Sequence, residues 1–218
     1  MWTYQIHGDI HTQNCLLYVT LPDSESVIAD ALMHLQQEGN VTPFLLVTVT
    51  VPEWNADCSP WPAKEKFRGS ETFIGHGAEL LHYLQDEVMK SLGESYTYFL
   101  GGYSMGGLFS LWAATQTDRF QGIIAASPSV WYPAWDDYME THTLLTKRVY
   151  FSLGKKEAGG GNSIFASVGT RIMQQYALAA ETVGKENCTL VWNEGNHFHQ
   201  VTKRIEDAVR WMYNYSWI

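Results

Sequence analysis

The sequence predicts an α/β fold in which a mostly parallel β-sheet carries helices on both faces. Three observations predict it. Apolar segments of strand length alternate with segments of helical spacing, the strand-like segments are too uniformly apolar to be half exposed, and a glycine-rich turn joins one strand directly to a helix. A length of 218 residues suits one domain, so we expect residues 1–218 to form a single unit with at most a minimal lid.

The first half of the chain supplies the first strands and helices of this pattern. The strand-like segments are rich in apolar and β-branched residues, whereas apolar residues recur every three or four positions in the helical ones. In order, the sequence predicts a strand at 14–20, a helix at 26–38, a strand at 43–51, a helix at 73–92 that stops near Gly93, and a strand at 96–102.

The second half continues the alternation. The sequence predicts a helix at 105–116, strands at 122–127 and 148–154, a helix at 163–183, a strand at 188–192 and a last helix from about residue 200. Helices of this length between apolar strands are typical of parallel crossovers. Parallel sheets bind ligands at the carboxyl ends of their strands, so we expect the chemistry in the turns that follow each strand.

Composition and charge exclude several classes of protein. Apolar residues make up 45% and charged residues 17%, which indicates a folded globular chain rather than a disordered one. The net charge of −9 is spread along the chain without a run of Lys or Arg, which disfavours nucleic acids and anionic membranes as partners. We expect no leader, because the chain opens without a basic and then apolar segment, and no apolar stretch approaches the roughly 20 residues of a membrane span.

The cysteines do not indicate a metal or redox site. Cys15, Cys58 and Cys188 are odd in number, widely separated, and form no Cys-x-x-Cys motif. Cys15 and Cys188 fall in strand-like segments, where buried free thiols are expected. Free thiols favour a cytoplasmic location, and we predict that the protein needs no metal or other cofactor.

The turn after the third predicted strand carries the sequence G-x-S-x-G. Within the segment GGYSMGGLF, Gly102 and Gly106 flank Ser104 at two positions on either side. A strand that turns straight into a helix forces the apex residue into a strained backbone conformation, and side chains two positions away would collide. Gly107 would let the helix approach the sheet. The pattern predicts that Ser104 is an exposed nucleophile and that the Met105 N–H points into the same cleft.

A serine nucleophile needs a base, and the sequence offers two histidines at the expected place. In sheets of this type the base comes last in the chain, after the acid. The segment WNEGNHFHQ follows the last predicted strand and contains His197 and His199. The Gly195-Asn196 turn favours His197 as the base, with His199 second because it already enters the last helix.

The acid is expected after the preceding strand. Glu157 lies four residues past the predicted strand end at Leu153, in a loop flanked by glycines, and is the preferred candidate. A solvated surface charge is the alternative reading of Glu157. The other carboxylates considered for this role come after strand 122–127 and are Asp136, Asp137 and Glu140.

Backbone donors and aromatic rings complete the predicted site. We expect the oxyanion to be stabilised by the N–H groups of Met105 and Trp54, with Asn55 as the next choice after Trp54. The segment SVWYPAWDDYMETH follows strand 122–127 and provides rings for a substrate pocket. The rings predicted to line the pocket are Trp131, Tyr132 and Trp135, with Tyr138, Trp54 and Trp61 as further candidates and core packing as the alternative reading.

With these residues in place, the chain resembles the α/β-hydrolases, and within them the putative esterase family, which includes enterochelin esterases, S-formylglutathione hydrolases (esterase D) and mycolyltransferases. The segments GYSMGGLFSLWAA, ASPSVWY, YFSLGKKE and WNEGNHFH carry the resemblance, in the family's order, from about residue 43 to the end. The resemblance implies a catalytic triad of Ser104, Glu157 and His197. The chain departs from many relatives in having Glu where they have Asp.

We therefore expect a serine hydrolase that cleaves small carboxylic esters, and also thioesters, through an acyl-enzyme on Ser104. Activity should fall on the acid side as His197 takes up a proton. Two alternatives stay open from the sequence. An acyltransferase of the same family would pass the acyl group to an alcohol or thiol, and a catalytically silent scaffold of this fold would only bind its ligand.

Overall fold

The computed structural model describes residues 1–64, 73–158 and 167–214, and in these ranges one seven-stranded sheet organises the molecule. The strands lie in the order β1-β3-β2-β4-β5-β6-β7. Only β1 is antiparallel to its neighbour, and all other neighbours pair in parallel. The strands are β1 (Thr3–His7), β2 (Asn14–Thr20), β3 (Phe44–Thr50), β4 (Thr97–Tyr103), β5 (Phe120–Ala126), β6 (Arg148–Gly154) and β7 (Cys188–Asn193).

Helices cover both faces of this sheet, which confirms the predicted fold class. One face packs under α5 and α7, and the other packs under α1 and α8. The helices are α1 (Glu25–Gln37), α2 (Trp54–Asp57), α3 (Gly77–Tyr83), which continues through a π-helical turn (Leu84–Met89) into α4 (Lys90–Leu92), α5 (Met105–Gln116), α6 (Trp135–Thr141), α7 (Val168–Val183) and α8 (Val201–Met212).

The central strands are buried on both faces, as their sequences predict. Every residue of β3 is buried, and Leu16 of β2 lies between Leu46 of β3 and Phe99 of β4. The long helix that follows the turn at Ser104 is central as well, because Met105 through Ala114 are all buried. A strand-turn-helix unit embedded in this way holds the residue at its apex in a fixed position.

The predicted segments agree with the structure in the long elements and differ in the short ones. The sequence did not predict β1, because five alternating residues at a half-exposed antiparallel edge carry little hydrophobic signal. It also missed α2 and α6, which are too short to show helical periodicity. The helix predicted from residue 73 begins at Gly77, and residues 163–166 of the helix predicted at 163–183 lie outside the described residues.

Two further expectations concern thiols and membranes. All three cysteines are buried and free, as predicted for the two in strands. Within the described ranges, no helix combines the length and the apolar character that crossing a bilayer requires.

The topology brings four loops to one edge of the sheet. The carboxyl ends of β4, β5, β6 and β7 lie side by side, because these strands are parallel neighbours. Ser104, Ser127, Glu157 and His197 follow these strand ends in that order. The candidate site is therefore built where four consecutive strands end.

Candidate active site

Ser104 occupies the tight turn between β4 and α5. Its backbone has φ 57° and ψ −118°, a conformation that side-chain-bearing residues rarely adopt and that costs free energy. Backbone hydrogen bonds hold the turn, since the Ser104 N–H donates to the Ala126 carbonyl over 3.0 Å and the Ser104 carbonyl accepts from Leu108 over 3.0 Å. The strain is thus maintained by the sheet on one side and the helix on the other.

The two glycines of the motif lie where a larger residue would meet close neighbours. A Cβ atom on Gly102 would lie 2.5 Å from the carbonyl carbon of Gly106, so backbone meets backbone there. A Cβ atom on Gly106 would lie 2.9 Å from the outer edge of the Trp54 ring. Gly102 is therefore required by the close approach of strand and helix, whereas a larger residue at position 106 would have to displace the Trp54 side chain.

The structure brings Glu157 and His197 together. His197 Nδ1 lies 2.7 Å from Glu157 Oε2. The second carboxylate oxygen, Oε1, accepts hydrogen bonds from the Gly154 N–H at 2.7 Å, from Ser127 Oγ at 3.2 Å and from Arg204 Nη1 at 2.9 Å. One oxygen of the carboxylate is therefore fixed by the protein while the other faces the imidazole.

These contacts determine the charge state of Glu157. Burial alone would raise its pKa, but the hydrogen bond and charge of His197, the Gly154 N–H and the hydrogen bond of Arg204 together outweigh burial and leave the pKa below its usual range. Glu157 is consequently a carboxylate at neutral pH, in the form that can orient a histidine.

Arg204, on the first turns of α8, was not among the sequence candidates. Its side chain is almost fully buried, and Nη1 donates to the Tyr103 hydroxyl and to Ser127 Oγ as well as to Glu157. Its Nη2 donates to the carbonyls of Glu194 and Asn196 at 3.0 and 2.8 Å. One guanidinium thus joins the acid to the loop that carries His197.

A sequence signal for Arg204 did exist. Arg204 falls on the face of α8 that also carries Ile205, Ala208 and Val209, all fully buried. A charged residue on the apolar face of a helix needs a buried partner of opposite charge. Glu157 is that partner.

Tyr103 and Ser129 are two further site residues that the sequence analysis missed. The Tyr103 hydroxyl donates to the His197 carbonyl over 2.8 Å, and burial raises the pKa of Tyr103, so this donor stays protonated. Ser104 Oγ lies 3.3 Å from Ser129 Oγ, and the Ser129 N–H donates to the Ser104 carbonyl over 3.1 Å. Among the described residues the side-chain hydrogen bond of Ser104 goes to Ser129.

The alternative acids and base lie elsewhere. Asp136 forms an ion pair with Arg171 at 2.7 Å, and His199 is exposed beyond the turn that presents His197. Asp137 and Glu140 lie on α6, outside the cavity that contains Ser104. Of the candidates that the sequence offered, only Glu157 and His197 contact each other at the mouth of this cavity.

A cavity of about 900 Å³ opens over Ser104. Ser104, Glu157 and His197 all line it, as do the rings of Trp54 and Trp131. The rest of its wall combines aliphatic side chains with polar and aromatic ones. The volume suits a small organic ligand.

The structure corrects part of the predicted pocket. Trp131 lines the cavity, but Tyr132 and Trp135 do not, because both are fully buried in the core. Their rings pack with Trp61 and Tyr138 in an aromatic cluster that fixes this loop to the segment after α2. An aromatic-rich segment predicts that rings lie near the site. Which of them point into the cavity depends on backbone turns that the composition does not indicate.

Met105 and Trp54, the predicted backbone donors, each begin a helix. Met105 is the first residue of α5 and Trp54 the first residue of α2. The first N–H groups of a helix have no partner within it and carry the positive end of the helix dipole. Both groups are therefore of the type that can bind an oxyanion, and the Trp54 ring itself lines the cavity.

Comparisons with known proteins were made for sequence and for structure. A family profile described as "Esterase: Putative esterase" matches residues 23–201. No curated protein sequence matches the chain. The solved structures similar to it include the siderophore hydrolase EstB from Aspergillus nidulans, with 15% identity and a TM-score of 0.74, where the match covers 100% of this chain and 92% of that one.

Two other similar structures come from bacteria. An IroE-like serine hydrolase from Shewanella oneidensis has 15% identity and a TM-score of 0.74, covering 96% of this chain and 75% of that one. The enterobactin esterase FES from Shigella flexneri has 14% identity and a TM-score of 0.68, covering 96% of this chain and 54% of that one. At these identities the likeness shows a shared α/β-hydrolase fold.

The family profile extends over most of the chain, from the turn before α1 to the start of α8, and it includes every strand from β3 to β7. The protein belongs to the putative esterase family, enzymes of the α/β-hydrolase fold that hydrolyse ester bonds.

Proposed function

We propose that this esterase hydrolyses carboxylic esters through an acyl-enzyme on Ser104, with His197 as the general base and Glu157 as the acid that orients it. The observation that carries the proposal is the 2.7 Å contact between His197 Nδ1 and Glu157 Oε2, made at the cavity into which the strained Ser104 turn opens. Three strand-end loops supply these three side chains.

The first half of the reaction forms the acyl-enzyme. Ser104 Oγ attacks the ester carbonyl carbon while His197 Nε2 takes the hydroxyl proton, and Glu157 stabilises the imidazolium through Nδ1–H. The N–H groups of Met105 and Trp54 donate to the oxyanion, and one such donor is typically worth about 3–4 kcal/mol in the transition state. The carbon–oxygen bond to the alcohol then breaks, and His197 gives its proton to the leaving alcohol.

The second half returns the enzyme to its starting state. Water attacks the acyl carbon while His197 takes a proton from it, and the bond to Ser104 Oγ breaks as His197 reprotonates that oxygen. The products are the carboxylic acid and the alcohol. The low pKa of Glu157 supports this cycle, because the acid stays ionised while the imidazole gains and loses its proton.

The proposal is tested by replacing the nucleophile. In Ser104→Ala we expect p-nitrophenyl ester hydrolysis to fall by about 10⁴- to 10⁶-fold and labelling by a fluorophosphonate to disappear. Ser91→Ala, at the far end of the α3–α4 helix, is the matched control and should keep both. A Ser104→Ala protein that is still labelled, or an intact protein that is never labelled, would overturn the proposal and favour a silent scaffold.

A second candidate concerns the acceptor of the acyl group. A family profile and a fold do not distinguish hydrolysis from transfer to an alcohol, so product analysis with an added acceptor alcohol separates the two. We expect the free acid to dominate. More transfer product than free acid in the presence of the acceptor alcohol would favour an acyltransferase.

Siderophore esters are a specific substrate class to test, because several similar structures are titled siderophore hydrolases or enterobactin esterases. A siderophore triester and a simple aliphatic ester should be compared by kcat/KM on the same preparation. The comparison decides whether the neighbours' substrates extend to this chain.

A further inference from the structure

The cavity over Ser104 continues into a groove between α1 and α8. These two helices pack against each other on one face of the sheet, and residues at the start of each line the cavity. We call this part of the cavity the apolar groove. Its walls are formed by Leu21, Val27 and Ile28 on the α1 side and by Phe198, Val201 and Ile205 on the α8 side.

The apolar groove has a buried floor and exposed rims. Ile28 and Ile205 are buried against the sheet, where they pack with Leu16 and Tyr18. Val27 and Phe198, in contrast, are 56% and 84% exposed. Large apolar side chains left in water beside a catalytic cavity indicate a surface that a ligand covers.

The charges around the cavity are few, and Asp23 is the one that lies beside the apolar groove. Among the described lining residues the charged ones are Asp23, Lys156 and Glu157. Glu157 is held by Arg204 and His197, and Lys156 follows β6 on the opposite side of the site from α1. Asp23 precedes α1, so its negative charge at the groove would repel a negatively charged ligand.

We propose that the apolar groove binds an uncharged aliphatic chain of the ester that reacts at Ser104. This inference rests on the proposed function, because the occupant is defined by its connection to the reacting carbonyl. The chain belongs either to the acyl part or to the alcohol part of the ester. Both have the same chemistry, and the experiment has one arm for each.

The first experiment measures kcat/KM against chain length. One arm uses p-nitrophenyl esters from acetate to hexanoate, and the other uses alkyl acetates from ethyl to hexyl. Burial of a methylene group corresponds to roughly a two- to fourfold gain, so we expect at least about a tenfold rise across the series in one arm. A flat or falling profile in both arms would overturn the proposal.

A charge placed in the groove provides the matched comparison. Val27→Asp puts a carboxylate on the α1 wall, and an acidic residue in the first turn of a helix is compatible with the helix dipole, so the variant should fold. We expect the ratio of long-chain to short-chain kcat/KM to drop about fivefold or more in the responsive arm. Met173→Asp is the control, because Met173 is equally exposed on α7 but does not line the cavity. Equal ratios in the two variants would contradict the groove.

A binding measurement separates the groove from the chemistry. In Ser104→Ala, calorimetric titration with p-nitrophenyl hexanoate and acetate, and with hexyl and ethyl acetate, reports affinity without turnover. Tighter binding of the longer ligand in either pair supports the groove even if the intact protein fails to hydrolyse esters. Equal affinity in both pairs would reject the groove even if Ser104 proves to be the nucleophile.

Discussion

At the scale of single residues, the site depends on Arg204, a buried cation that does not line the cavity. The guanidinium of Arg204 contacts Glu157, Tyr103 and Ser127, and it also donates to two carbonyls of the loop that carries His197. Removing one partner of a buried ion pair leaves an uncompensated charge, which typically costs about 3–5 kcal/mol. Arg204 is therefore a positioning residue whose loss should be felt in both stability and turnover.

We expect Arg204→Leu to lower kcat by about 10- to 100-fold with a smaller change in KM, because the acid and the His197 loop lose their common support. Arg204→Lys restores the charge but only part of the hydrogen bonding, so it should recover part of kcat. The measurement is steady-state kinetics on a p-nitrophenyl ester with urea unfolding in parallel. Arg210→Leu is the control, since Arg210 on the same helix forms an exposed ion pair with Glu38. Equal kcat for Arg204→Leu and the intact protein would refute this role.

At the scale of elements, the nucleophile turn works because two backbones nearly touch. Gly102 ends the buried part of β4, and its α-carbon faces the backbone of Gly106, the second residue of α5. The strand and the helix are each held by many partners, so neither can move away to admit a methyl group. The cost of a larger residue should therefore appear at Ser104, which lies in the turn that joins them.

We expect Gly102→Ala to destabilise the protein by roughly 1–3 kcal/mol and to lower kcat/KM by at least about tenfold, since an overpacked turn displaces the hydroxyl. Urea unfolding and ester kinetics measure the two effects. Gly39→Ala separates backbone conformation from steric collision, because Gly39 has a positive φ of 73° but open space around its α-carbon. Gly39→Ala should lose some stability and keep full activity, and a similar activity loss in both variants would contradict the steric account.

The length of each element explains what the sequence could predict. The central strands and the long helices were predicted because a uniformly apolar run or a repeated spacing extends over seven or more residues, as in β3 and α5. Tyr132 and Trp135 are buried rather than in the cavity lining, and the backbone turn between them, where Ala134 has a positive φ, is not indicated by composition. Ser129 and Tyr103 were missed because a hydroxyl beside an active serine has no sequence signature of its own.

At the scale of the whole molecule, Glu157 belongs to the candidate site and also contributes to the stability of the fold. The pKa of Glu157 lies below its ordinary value in the folded protein, although burial opposes this. A carboxyl group with a lowered folded-state pKa stabilises the fold above its unfolded pKa, and that contribution is lost as pH falls through the folded value. The protein should therefore lose part of its stability in acid through the same residue that orients His197.

We expect Glu157→Gln to be less stable than the intact protein at pH 7, because Arg204 then keeps a buried charge without its partner. The difference in unfolding free energy should shrink as pH falls below about 4.5, where the carboxylate of the intact protein begins to be protonated in the unfolded chain. Urea unfolding of both proteins between pH 3.5 and 7 measures this. A difference that stays constant over that range would show that Glu157 does not titrate with folding.

The docking of α8 couples the last helix to the acid of the site. Arg204 is carried by α8 and donates to Glu157 and to the carbonyls of Glu194 and Asn196. Undocking of the last helix would therefore withdraw the guanidinium from all three partners at once.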